Sequence, residues 1–300
     1  EEDVRQYCKM CGVAVSQNEV RQIYEYTEGW IVSLYLIILQ IKRGEGYSHS
    51  LGILQLIENI VWKNLRDEEK RLLLHISLFP GVTIEQINFL LEEPELPERI
   101  LALLEETPFI RYEADERRYV PHAILSEMLQ RRLAAADAAT KRYCFRRAGD
   151  WYARTGEVSH AVSCYLEIGE YDAILSLPLT GMTLVRINGM PFTDVTARIL
   201  KECPDEIKRK HPISLLRIAY ALIGADKKEN AAELLEEIRN IIGDIADETR
   251  QKALMGEWML VSAYLEFPDI VKMETLIKKA AGMIGGRCKT LTDEEPFVFG

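Results

Sequence analysis

The sequence predicts an all-α protein interrupted by one small β-hairpin. Three observations predict it. Apolar residues recur at three- and four-residue spacing along most of the chain. Glycines and prolines cut that pattern into short pieces joined by brief turns. Helical spacing gives way to alternation at one place, on either side of the polar stretch Glu113 to Arg118.

Residues 1–50 read as a helical module. From Ser16 to Lys42, Val20, Ile23, Tyr24, Ile31, Leu34, Ile38 and Ile41 share one helical stripe. Ser16 precedes Glu19 by three residues, the spacing at which the two side chains cap each other's backbone N–H groups. Thr27-Glu28-Gly29 breaks the stripe, so two helices are expected, with Gly44 and Gly46 closing the region.

Residues 51–137 have the element order of a winged helix. A long helix from Leu54 to Leu78, split near Arg66-Asp67, stops at Pro80-Gly81. Thr83 caps a short helix, Ile84 to Leu91, which ends before Pro94. Pro97 opens a third, Glu98 to Glu106, closed by Pro108. Phe109 to Tyr112 and Tyr119-Val120 then form the arms of the hairpin, and a further helix runs from Ala123 to Arg132. The helix that would enter a DNA groove, Glu98 to Glu106, is acidic and apolar. Phosphates would repel it, so this module is expected to pack against protein.

Residues 138–300 repeat a helix-pair grammar resembling the tetratricopeptide pattern. Lys141 to Arg154 turns at Gly156 and returns as Val158 to Ile168, and Tyr171 begins another unit. Weaker pairs follow: Leu215 to Leu222 with Ala231 to Ile242, and Arg250 to Glu266 with Val271 to Ile284. The tail from Gly285 to Gly300 shows no period, and the repeats are expected to continue past it.

Apolar residues make up 48% and charged residues 28% of the 300, a soluble balance. A net charge of −10 argues against a general nucleic-acid or membrane surface. The densest apolar stretch, Ile31 to Ile41, is too short to cross a bilayer. The chain opens at Glu1 inside a helical pattern, as a piece of a longer protein would. Cys8 and Cys11 form a C-x-x-C pair, but the nearest histidine, His49, is far along the chain, so the six cysteines are expected to pack helices in a reducing cytoplasm rather than bind metal. No nucleophile–base pair stands out: His160 and Cys164 lie at i and i+4 without a third partner. The chain is therefore not expected to be an enzyme. Arg131-Arg132 and Arg146-Arg147 read as solvated faces ion-paired with nearby glutamates. Tyr143, Trp151, Tyr165 and Tyr171 either line a ligand groove or fill inter-helix cores.

Four blocks in order carry a family resemblance: Tyr26-Thr27-Glu28-Gly29-Trp30 with Ser33 to Leu36; Tyr119-Val120-Pro121-His122 running on to Leu133; Ala148-Gly149-Asp150-Trp151-Tyr152 running on to Tyr171; and Pro204 to Leu216. In these blocks the chain resembles the MalT-like large LuxR-type transcription regulators. The resemblance implies a nucleotide switch using ATP and ADP in the parent protein, an inducer bound at the helical repeats, self-association on activation, and DNA contact only through a C-terminal domain. No phosphate-binding glycine loop with its lysine occurs here, so tight nucleotide binding by this piece alone is not expected. The resemblance singles out His122, which opens a helix and would touch a nucleotide phosphate, and Gly29 and Trp30, which fall at a turn lining the adenine pocket. At that turn Ile31 stands where relatives carry proline. The alternative is a plain helical-repeat scaffold for protein partners, with no nucleotide switch.

Overall fold

The computed structural model describes residues 1–27, 29–42, 58, 61–107 and 109–291. It divides into two compact units, Glu1–Cys144 and Phe145–Gly300, with the division inside one helix. The first unit takes in both the helical module and the winged-helix region.

In the first unit α1 (Glu2–Met10), α2 (Gln17–Thr27) and α3 (Ile31–Lys42) follow one another. The Ser16–Glu19 box forms in both directions: Ser16 N–H donates to Glu19 Oε2 at 2.7 Å, and Glu19 N–H to Ser16 Oγ at 3.3 Å. The expected helix ends at Gly44 and Gly46, and most of the expected stretch Leu54 to Val61, lie outside the described residues. The expected split before Asp67 is real. A 3-10 turn at Trp62–Asn64 gives way to α4 (Asp67–Ile76), where Arg66 N–H donates to Glu69 Oε2 at 2.7 Å.

α5 (Ile84–Leu91) starts at Thr83, whose hydroxyl accepts from Gln86 N–H at 3.2 Å. Thr83→Ala should therefore lower the stability of this unit by about 0.5–2 kcal/mol, the usual loss of a cap. A urea unfolding curve checks it; an unchanged midpoint would leave the cap without weight. α6 (Glu98–Glu106) follows Pro97, and the hairpin β2 (Ile110–Glu113) and β3 (Arg118–Pro121) leads into α7 (Ala123–Ala135). The sheet has one strand more than expected. β1 (Val82–Thr83) pairs with β3 in the register Val82↔Tyr119, giving the order β1-β3-β2. Leu72, Leu73, Ile76, Ile87, Ile100 and Leu125 form the core beneath this sheet, each with no exposed surface.

The second unit is built from helix pairs. α8 (Ala138–Thr155) leads into it, and α9 (Val158–Ile168) and the short α10 (Tyr171–Ser176) follow. The expectation of one hairpin is corrected here. β4 (Arg186–Ile187) and β5 (Met190–Pro191) pair across Asn188-Gly189, both at positive φ (51° and 76°). Asn-Gly tolerates the two left-handed positions that a tight hairpin turn requires. α11 (Phe192–Glu202) and α12 (Asp205–Lys208) lead to two antiparallel pairs, α13 (Pro212–Gly224) with α14 (Lys228–Gly243), and α15 (Glu248–Ala263) with α16 (Ile270–Ile284). Among the described residues no helix is long and apolar enough to cross a membrane.

Candidate functional site

His122, Gly29 and Trp30, nearly a hundred positions apart in sequence, meet in the first unit. α2 ends at Thr27, whose side chain is fully buried. Its hydroxyl donates to the Ile23 carbonyl at 2.7 Å and accepts from Gly29 N–H at 3.2 Å. Gly29 sits at φ +80°, the left-handed conformation that turns the chain out of α2. Trp30 N–H then donates to the Thr27 carbonyl at 2.8 Å.

His122 reaches the same carbonyl from the other side. It is the N-cap of α7, and its ring Nδ1 accepts from Ile124 N–H at 3.2 Å. Its Nε2 lies 3.0 Å from the Thr27 carbonyl oxygen. An amide N–H can only donate and a carbonyl can only accept, so the two partners together select the neutral tautomer with its proton on Nε2. One ring thus caps α7 and ties it to the end of α2. The backbone holds the ring in place, because His122 N–H donates to the Phe109 carbonyl at 2.7 Å. Trp30 packs edge-on against Phe109, ring centroids 4.6 Å apart, and its centroid is 6.5 Å from that of His122. One turn into α7, Glu127 accepts from the Tyr26 hydroxyl at 3.3 Å and from Arg131 at 2.7 Å. The resemblance points to His122, Gly29 and Trp30, and the structure sets Thr27 and Tyr26 beside them. A backbone carbonyl acceptor leaves no mark in sequence.

The acidic face of α6 is as expected. Glu98, Glu105 and Glu106 are exposed, while Ile100 and Leu104 are buried. Arg99, the basic residue of this helix, is paired to Glu68 and Glu69 of α4. It is committed within the protein rather than offered to phosphate. Arg131 pairs with Glu127, Arg132 with Glu58, and Arg146 with Asp150 and Glu170, so these arginines serve the folded surface.

Of the four aromatic candidates, Tyr165 and Tyr171 are buried and hydrogen-bonded to Asp150 and Glu202, which makes them core residues of the helix pairs. Tyr143 is partly exposed and packs edge-on against His75, centroids 5.3 Å apart. His160 stacks on Tyr152 at 4.9 Å, while Cys164 is buried and its thiol is pushed up to about 12 by burial. Burial raises Cys144 to about 12 as well. A thiol becomes reactive by losing its proton, so both should resist iodoacetamide at pH 8 in the folded protein while the part-exposed Cys11 is alkylated. Peptide mapping reads this directly; labelling of Cys144 or Cys164 at the rate of Cys11 would show that their helices open.

Residues 57–141 match the family model of the MalT winged helix domain. The HTH-type transcriptional regulator AlkS of Pseudomonas putida is 22% identical over 227 residues, which cover 75% of this chain and 26% of that protein. Its counterpart in Ectopseudomonas oleovorans is 19% identical over 252 residues, covering 82% and 27%. The chain spans about a quarter of the length of these curated relatives. Among solved structures, a Signal Transduction ATPase with Numerous Domains (STAND) protein with a tetratricopeptide repeat sensor from Pyrococcus horikoshii has the same fold. It matches with a TM-score of 0.52 and 20% identity over 95% of this chain and 41% of that one.

Proposed function

We propose that this MalT-like chain is the regulatory and inducer-sensing part of a transcription regulator, in which His122 couples nucleotide state to the packing of the winged-helix region. The observation that carries the reading is the double use of the His122 ring, which caps α7 through Nδ1 and ties α7 to α2 through Nε2. The Nε2 proton is a single donor. Given to a nucleotide phosphate at the positively polarised start of α7, it is withdrawn from the Thr27 carbonyl. Nucleotide state and the α2–α7 joint then compete for one hydrogen bond. A ligand can shift such an equilibrium only through its differential affinity for the two forms.

In this reading ATP and ADP bind the complete protein rather than this segment alone, and the chain is not itself an enzyme. An inducer acts at the helical repeats. Self-association and DNA binding belong to the complete cytoplasmic regulator, with DNA held by a separate C-terminal reader. The acidic α6 supports that division of labour, since it offers no cation to a phosphate backbone.

The test is nucleotide binding and self-association of the complete protein, followed by equilibrium dialysis with ADP and by sedimentation with ATP and inducer. Tight ADP binding and an ATP-dependent oligomer are expected. A complete protein that binds neither nucleotide would establish the plain scaffold in place of the switch.

A further inference from the structure

The second unit holds a cavity of about 580 Å³, within the size range of small-molecule sites. Its lining comes from three separate stretches of chain: the start of α13, the start of α15, and the segment that follows α16. Pro212, Ile213, Ala253, Leu254 and Ile284 give it an apolar floor. Around that floor stand four cations, Lys210, Arg250, Arg287 and Lys289, in a chain whose net charge is −10. Among the described residues the side chains of Lys210, Arg250 and Lys289 form no ion pair. Their neighbours Lys208 and Arg209, which do not line the cavity, are paired to Glu237 and Asp244.

Two carboxylates also line the cavity, and both are already engaged. Glu257, only 3% exposed, accepts from the Cys288 thiol and from the backbone N–H groups of Lys289 and Thr290. It thereby holds Lys289 at the rim. Asp247 accepts from Arg250 N–H as the N-cap of α15. The free N–H groups of the first turns of α13 and α15 add positive potential to that of the side chains.

We propose that this cavity binds a small organic anion, its apolar body on the floor and its carboxylate, sulfonate or phosphate head among Lys210, Arg250 and Arg287. The proposal rests on reading the repeats as the sensing region, and it supplies the chemical class of the ligand. A charged head gains from the cations around this floor, an attraction that a neutral or sugar-like effector would forgo.

The test is calorimetric titration of the complete protein with 2-naphthoate and with its neutral counterpart 2-naphthamide. One equivalent of 2-naphthoate should bind, at least tenfold tighter than the amide. Arg250→Gln combined with Arg287→Gln, both on the exposed rim, should weaken 2-naphthoate about tenfold and leave the amide unchanged. Ala253→Trp, which fills the floor, should abolish binding of both. No binding of 2-naphthoate, equal affinity for the two compounds, or rim variants that bind as the parent does would each overturn the proposal. ADP retention measured on the same preparations separates the two readings. ADP held through His122 without 2-naphthoate binding removes the cavity alone, and the reverse result removes the switch alone.

Discussion

His122→Ala should destabilise the first unit by about 2 kcal/mol, and His122→Asn should recover roughly half of that. Alanine removes two bonds at once. The N-cap at Ile124 is worth about 1 kcal/mol. The bond to the Thr27 carbonyl is worth about 0.5–1.5 kcal/mol, and the loss is tempered because Trp30 N–H still donates to that oxygen. Asparagine can cap α7 with its side-chain oxygen, but it is too short to span to α2. Urea unfolding together with hydrogen exchange distinguishes the two bonds. Exchange at the Ile124 amide should rise only in the alanine variant, while loosening at the end of α2 should appear in both. An alanine variant as stable as the parent, or an asparagine variant that restores α2 fully, would mean that the ring does not join the helices.

Gly256→Ala should cost the second unit a net of up to about 2 kcal/mol, although alanine is the better helix former. A Cβ at Gly256 would meet Ile284 N at 2.9 Å, the Ala280 carbonyl oxygen at 3.0 Å and Ile284 Cγ1 at 2.8 Å. Two of these three atoms are backbone of the partner helix and cannot swing aside. Overpacking of this kind costs about 1–3 kcal/mol or more, against a propensity gain of about 1 kcal/mol. Gly282, in α16, provides the matched control. A Cβ there meets nothing within 4 Å, so Gly282→Ala should stabilise by up to about 1 kcal/mol. Thermal melts of the two variants should move in opposite directions. A shared direction would mean that the α15–α16 crossing is loose enough to absorb a methyl group.

The helices of this chain were legible where a local signal exists. Ser16, Thr83 and Pro97 mark starts by chemistry contained within three or four residues, and each does so in the structure. β1 was not legible, because a two-residue strand carries no period and Val82–Thr83 becomes a strand only by lying against β3. The hairpin at Asn188-Gly189 does carry a local signal, an Asn-Gly step between apolar residues, but it is short and set among segments of helical spacing. The candidate site was legible only by resemblance. Nothing in composition or spacing brings His122 to Thr27, and the acceptor there is a backbone carbonyl that any residue could supply. The basic cavity was hidden for another reason. Lys210, Arg250, Arg287 and Lys289 are scattered over eighty positions, and each alone reads as an ordinary solvated charge.

The measurement that bears most directly on the account is ADP retention by the complete protein and by its His122→Ala variant, followed as release of labelled ADP during dilution. If the His122 Nε2–H is a phosphate donor, its loss removes a hydrogen bond to a charged group worth about 1.5–3 kcal/mol. Less the bond of about 0.5–1.5 kcal/mol to Thr27 that binding gives up, retention should fall about tenfold, with activity rising in the absence of inducer. Release at the parent rate, with unchanged dependence on inducer, would contradict the account and leave His122 as the cap of α7 and its tie to α2.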